Sequence, residues 1–168
     1  HISDLARTVT VKAGQEERWQ KYFRKWMIAA AATALGIIMD VRRVVNHSCL
    51  VLSGPQGCGK TTWLNRLEMT PELRFSGAID PHNKDHAIYA STKTLINLDE
   101  LETTTKSEWG SIKSLITVDK VTARPPYGRR SIDFPRRASF VASINNTQFL
   151  ADQTGSRRFL VVEVEKID

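Results

Sequence analysis

Apolar residues recur at helical spacing over one long stretch. From Glu16 onward, Trp19, Tyr22, Phe23, Trp26, Met27, Ala30, Ala31, Ala34 and Leu35 fall on one face of a helix, at i, i+3, i+4 intervals. Arg18, Lys21, Arg24 and Lys25 occupy the other face as a solvated surface. Gly36 interrupts or caps the helix, and Ile37-Ile38-Met39 continue the apolar surface. Such an aromatic stripe can receive a partner, but packing on the chain's own core is its commoner use. Residues 1–14 read as polar and irregular.

Short apolar runs follow. Cys49 to Leu52, Leu95 to Leu98, Ala138 to Ile144 and Phe159 to Val162 have the composition of strands buried on both faces. Between them lie helical patterns at Thr62–Glu68, Asp85–Ala90 and 107–117. Residues 71–83, with Pro71, Gly77 and Pro81, read as loop. Val121 and Ala123, then Ile132 and Phe134, alternate around a Pro- and Gly-containing stretch, which predicts two strands and a projecting loop. Strands interleaved with helices predict an α/β fold, a largely parallel sheet with helices on both faces. No linker is evident; residues 1–44 are read as an N-terminal helical region and 45–168 as the main domain.

The chemistry concentrates after the first strand. Gly54-Pro55-Gln56-Gly57-Cys58-Gly59-Lys60-Thr61-Thr62 has a glycine, four residues, then Gly-Lys-Thr. Placed between a strand and a helix, it fits a phosphate-binding loop. Glycines let backbone N–H groups curl around a phosphate, and a helix N-terminus adds positive charge. Lys60 would reach the β- and γ-phosphates and the Thr61 hydroxyl would ligate Mg²⁺. A glycine-rich turn that binds nothing is the bland alternative.

A second apolar strand ends in Asp99-Glu100. Lying beside the first strand, it would bring Asp99 to the Mg²⁺ and Glu100 to the attacking water. The pair can equally cap the next helix. Asn145, at another strand's end, can contact the γ-phosphate or its water, or serve as a turn residue. Arg157 and Arg158 on a late turn can pair within the fold or reach a neighbouring subunit's nucleotide.

The chain carries 24 Lys and Arg against 18 Asp and Glu, a net charge of +6. That excess suggests an anionic partner. Lys120, Arg124, Arg129, Arg130, Arg136 and Arg137 gather where Asp133 alone is acidic, around Tyr127. Cations for phosphates and a ring for stacking suit single-stranded nucleic acid; a solvated basic hairpin suits the composition as well. Cys49 and Cys58 fit neither a metal site nor a disulfide framework and read as free thiols in a reducing compartment, the cytoplasm. The longest uncharged stretch, Trp26–Met39, is too short to span a bilayer.

The ordered set Gly-Pro-Gln-Gly-Cys-Gly-Lys-Thr, Leu-Asp-Glu-Leu, Arg-Pro-Pro-Tyr-Gly-Arg, Pro-Arg-Arg-Ala-Ser-Phe-Val-Ala-Ser-Ile-Asn and Phe-Leu-Ala-Asp-Gln-Thr-Gly-Ser-Arg-Arg-Phe resembles the virulence-associated protein E family of phage and mobile elements. The resemblance spans roughly residues 45–163. Members look like superfamily 3 helicases, P-loop replication ATPases of the AAA+ group. It implies that ATP and Mg²⁺ are the cofactors. Lys60 and Thr61 match the Walker A lysine and hydroxyl, Asp99 and Glu100 the Walker B pair, and Asn145 the sensor asparagine. Arg157 or Arg158 would be the finger, acting in trans in a hexameric ring. The stretch holding Lys120, Arg124, Tyr127, Arg129 and Arg130 falls where such helicases carry a DNA-contacting hairpin. Single-stranded DNA is the implied partner, with a primase or other replication proteins beside it.

Rival readings remain at this level. A small-molecule kinase also uses a phosphate loop, but it excludes water, and the Asp-Glu pair argues against it. A GTPase would carry Asn-Lys-x-Asp; Asn83-Lys84-Asp85-His86 has the wrong fourth residue. A nucleotide-dependent DNA-binding module that does not translocate is the non-enzyme alternative.

Overall fold

A computed structural model describes residues 1–36, 44–79, 83–99, 101, 106–123, 130–145 and 156–168. Among them the elements in chain order are α1 (Ile2–Arg7), β1 (Val9–Val11), α2 (Glu16–Leu35), β2 (Cys49–Ser53), α3 (Lys60–Asn65), β3 (Arg74–Gly77), α4 (Lys84–Thr92), β4 (Leu95–Leu98), α5 (Lys106–Thr117), β5 (Lys120–Ala123), β6 (Ile132–Pro135), β7 (Ser139–Ile144) and β8 (Phe159–Ile167). The mixed α/β architecture is the expected one. A six-stranded sheet runs β1-β8-β2-β7-β4-β3, and β5 and β6 form a separate antiparallel ribbon. Within the sheet β8, β2, β7, β4 and β3 are mutually parallel, and β1 lies antiparallel on the β8 edge.

The apolar runs alternate between two cores. Cys49 and Val51, Ile96 and Leu98, and Phe140, Ala142 and Ile144 face α4 and α5, where Ala90, Trp109, Ile112 and Ile116 meet them. Leu50, Leu52, Leu95, Val141, Val162 and Val164 face α1, α2 and α3. Burial on both faces explains why these strands lack a polar face. All five residues of β2 are buried.

The aromatic stripe of α2 packs inward. Trp19 and Phe23 stack at 4.9 Å, and both lie against Trp63 of α3, at 5.8 and 5.4 Å. The indoles are also satisfied: Trp19 Nε1 donates to the Ala6 carbonyl at 2.8 Å, Trp26 Nε1 to the Phe140 carbonyl at 3.0 Å and Trp63 Nε1 to Thr8 Oγ1 at 2.8 Å. Gly36 caps the helix, its N–H donating to the Ala32 carbonyl.

Several expectations need correction. Residues 1–14 are not irregular: they hold α1 and the edge strand β1. Three alternating residues are too few to stand out in the sequence, and β1 exists by pairing with β8. β3 lies inside the stretch read as loop and is likewise defined by its partner β4. β8 runs nine residues, past Val162 to Ile167, with Val162 and Val164 buried. α3 stops at Asn65 rather than Glu68. The Glu68 carboxylate accepts from the Thr70 N–H at 3.0 Å and from Thr94 Oγ1 instead. The strand carrying Asp99 is not beside β2, because β7 lies between them.

Phe23 is fully buried where α2 meets the sheet layer. Phe23→Ala should therefore cost about 3–5 kcal/mol of unfolding free energy. Denaturant unfolding followed by fluorescence and by circular dichroism should show one transition, shifted together in both signals. A sheet transition unmoved by the substitution would contradict the packing described.

Candidate functional site

Parallel strands deliver their carboxyl ends to one edge of a sheet, where open α/β folds bind ligands. At that edge β2 leaves the sheet into the loop Gly54–Gly59 and re-enters a helix at Lys60. The Gly54 N–H donates to the Ile144 carbonyl at 3.2 Å, which pins the loop to β7. A Cβ on Gly54 would lie 2.4 Å from the Val164 carbonyl oxygen, so β8 leaves no room for a side chain. Gly59 caps α3 with φ 86°, in the left-handed region that glycine adopts most readily.

Lys60 is only 6 % exposed. Its Nζ donates to the Gly54 carbonyl at 2.7 Å, the Pro55 carbonyl at 2.6 Å and Asn145 Oδ1 at 3.4 Å, and lies 3.8 Å from Cys58 Sγ. The ammonium thus sits inside the loop. Pro55, Gln56, Gly57 and Thr62 are exposed, and Cys58 is half-buried. Both cysteines are free. Burial pushes the Cys49 thiol far above its usual range.

Thr61 Oγ1 lies 2.9 Å from Ser143 Oγ on β7. Ser143 pairs with Leu52, and Ala142 pairs with Leu98 of β4. Asp99, one residue beyond Leu98, is therefore level with Ser143. Asp99 itself lies just past the strand, in a turn; two-residue alternation carried on from Leu95 and Asn97 would put it on the α3 side. With β7 between them, the ends of β2 and β4 are separated by roughly 10 Å. Among the described residues no group donates a side-chain hydrogen bond to Asp99, whose backbone N–H donates to the Gly77 carbonyl at 3.3 Å. Glu100 lies outside the described residues.

A triphosphate and its magnesium fit these residues on three observations. The loop begins where no Cβ is tolerated, its lysine is turned inward, and the Thr61 hydroxyl is bonded to Ser143, the residue level with Asp99. Among the described residues no three His, Cys, Asp or Glu side chains gather as a metal cage. Mg²⁺ at this edge would be held by Thr61 and Asp99 together with phosphate oxygens, its usual manner. Beside the loop opens a cleft of about 560 Å³, lined by Lys12, Ser53, Gly54, Pro55, Asn145, Glu163, Val164 and Glu165. Lys12 Nζ is 2.8 Å from Glu163 Oε2, and this hydrogen-bonded carboxylate raises the lysine pKa.

The late arginines and the described part of the basic stretch lie at the opposite edge. Arg157 and Arg158 form a 3-10 turn immediately ahead of β8, whose Phe159 pairs with Cys49 at the start of β2. Five residues of strand, roughly 16 Å, separate them from the loop Gly54–Gly59 of the same chain. The β5–β6 ribbon springs from that same amino-terminal edge. Arg136, buried, anchors it: Nε donates to the Val118 carbonyl at 2.8 Å, Nη1 to Ala138 at 2.6 Å and Nη2 to Asn46 at 2.9 Å. Burial lowers its pKa to about 10, against the opposing pull of Asp119. Lys120 pairs with Asp133 across the ribbon and holds that carboxyl below its usual range, with help from Thr122. Arg130 is exposed. Arg124, Tyr127 and Arg129 lie outside the described residues.

Sequence reasoning did not single out Ser143, Lys12 or Glu163, and it counted Arg136 with the surface cations. A serine within an apolar run carries no signal of its own. The buried arginine could have been suspected only from its position between two strands.

Over residues 1–168 the chain matches the family model of the virulence-associated protein E-like domain. It belongs to that family. In fold, this VapE-like domain is similar to the C-terminal region of NrS-1 in its A-form apo structure, with a TM-score of 0.62 at 17 % identity. That match covers 99 % of this chain and 37 % of the other. A second structure of the same region gives a TM-score of 0.59 at 17 % identity, covering 99 % and 38 %. The chain thus spans little more than a third of those regions. No protein with a curated description matches it. Among the described residues no helix is long and apolar enough to cross a membrane.

The loop geometry orders its glycines. Gly54→Ala forces a Cβ against the Val164 carbonyl and should cost about 1–3 kcal/mol of stability through overpacking. Gly57, at φ 83° with nothing near its missing Cβ, should cost only about 1 kcal/mol as alanine. Denaturant unfolding of both variants should rank them in that order; a reversed order would contradict the loop's placement against β8.

Proposed function

We propose that this VapE-like domain is an ATP hydrolase that couples turnover to movement on single-stranded DNA during replication of a phage or mobile element. The observation that supports the reading is the gathering of Lys60, Thr61 and Asn145 at the sheet's carboxyl edge, with Asp99 following β4 at the level of Ser143. They come from three separate strand ends. Family resemblance supplies the rest: ATP as the nucleotide, Glu100 as the residue that orients water, and the ribbon as the DNA-contacting element.

The protein's own contributions can be stated residue by residue. Lys60, released from the loop carbonyls, would bind the β- and γ-phosphates. Thr61 and Asp99 would hold Mg²⁺, which supplies charge neutralisation on those phosphates. Asn145, already bonded to Lys60, is placed to orient the terminal phosphate or its water. Arg157 and Arg158 lie at the wrong edge to serve their own loop. Their placement supports a ring, of six copies by resemblance, in which the amino-terminal edge of one copy meets the carboxyl edge of the next.

Phosphate release by wild type, Glu100→Gln and an Arg157→Ala/Arg158→Ala double variant, each with and without single-stranded DNA, tests this. Wild type should turn over faster with DNA. Glu100→Gln should lose at least about 10²-fold while keeping nucleotide affinity. The arginine variant should slow by roughly 10³-fold or more with binding intact. A wild type that releases no phosphate in either condition would end the motor reading and favour a passive DNA-binding module. Full turnover by Glu100→Gln would remove it as the water-orienting residue.

A further inference from the structure

Asn97 is wholly buried in the middle of β4, on the sheet face that α3 covers. The apolar core on that face includes Leu50, Leu52, Leu64, Leu95 and Val141, and Asn97 lies between Ser76 and Val141 on the flanking strands. Asn97 Nδ2 donates to Asn65 Oδ1 at 3.0 Å. Its own Oδ1 has no hydrogen-bond partner among the described residues. A leucine, with the same branched outline and no polar atom, would leave no orphaned oxygen there, so the unpaired amide oxygen costs the fold stability. A buried polar group that the fold does not need invites a reason elsewhere.

The position supplies one. Asn65 is the last residue of α3, whose first two residues are Lys60 and Thr61. A helix of six residues is about 9 Å long and moves as one piece. β4 runs from Asn97 through Leu98 straight into Asp99. The Asn65–Asn97 bond therefore joins the element that carries Thr61 to the strand that carries Asp99. At the other end of α3, Thr61 is held to Ser143 at 2.9 Å, level with Asp99. Polar fastenings thus fix α3 along the sheet at both ends, and Asn97 supplies the one that runs from the Asn65 end to β4.

We infer that Asn97 is a positioning residue for magnesium: through Asn65 it sets the separation between the Thr61 hydroxyl and the Asp99 carboxylate. The inference rests on the nucleotide-hydrolysis reading given above. Asn97 touches neither phosphate nor metal. Without its bond to Asn65, α3 would still pack on the sheet through Trp63 and Leu64. Its Asn65 end would then be held by bonds to β3, from Arg74 Nη1 to the Asn65 carbonyl at 2.7 Å and from Asn65 Nδ2 to Ser76 Oγ at 3.5 Å, and no longer by one to β4, the strand that leads into Asp99.

The test is the Mg²⁺ dependence of ATP turnover in wild type, Asn97→Leu, Asn65→Leu and the double variant, with melting temperatures alongside. Asn97→Leu should melt at or above the wild-type temperature, yet need roughly tenfold more Mg²⁺ for half-maximal rate. Asn65→Leu should give the same shift, and the double variant no more than either single one. An unchanged Mg²⁺ requirement, or shifts that add in the double variant, would overturn the inference while leaving hydrolysis intact. So would Asn97→Leu melting far below wild type, since the amide would then be a requirement of the fold. A wild type with no turnover would instead remove the hydrolysis reading, and this inference with it.

Discussion

β2 is the constraint on which the structure depends. Its five residues are buried between β7 and β8 in the sheet and between two apolar layers above and below. A strand so enclosed cannot shift by one residue without exchanging Cys49 and Val51 for Leu50 and Leu52 between the two cores. The point where it leaves the sheet is therefore set, and the loop Gly54–Gly59 starts there. Ile144 and Val164 on the flanking strands fix the direction of departure, one by accepting from the Gly54 N–H and the other by excluding a side chain. The inward turn of Lys60 follows from that start and from the left-handed cap at Gly59.

The sheet also divides the chain's chemistry. Lys60, Thr61, Asn145 and Asp99 collect at the carboxyl edge, while Arg157, Arg158 and the β5–β6 ribbon collect at the amino-terminal edge. Strand direction alone enforces the separation. A single copy cannot bring its late arginines to its own glycine loop. The buried Arg136 ties the ribbon to the segments leading into β2 and β7, through Asn46 and Ala138. A load on the ribbon would thus be felt at the starts of the two strands whose ends carry the loop and Asn145.

Much of this was legible before the fold was known, and the reasons differ by element. β2, β4, β7 and the start of β8 are buried on both faces, so their residues had to be apolar and the runs stood out. α2 was long enough for its period to declare itself. The turn between β2 and α3 was legible because its glycines and the strand and helix patterns on either side mark it. What escaped was decided by partners distant in the chain. β1 and β3 are three and four residues long and are strands only because β8 and β4 accept them. The lateral order of strands, with β7 between β2 and β4, leaves no local trace. Ser143 and Asn97 sit in runs that otherwise read as core, and their bonds to α3 depend on how the helix lies across the sheet.

The central claim is that the loop from β2 and the carboxylate after β4 serve one magnesium-bound triphosphate. Its most direct test is equilibrium binding of a non-hydrolysable ATP analogue, with and without Mg²⁺, to wild type and Asp99→Asn. Mg²⁺ should tighten binding to wild type by roughly tenfold or more, and Asp99→Asn should lose that gain while keeping the Mg²⁺-free affinity. An identical Mg²⁺ effect in both proteins would contradict the account.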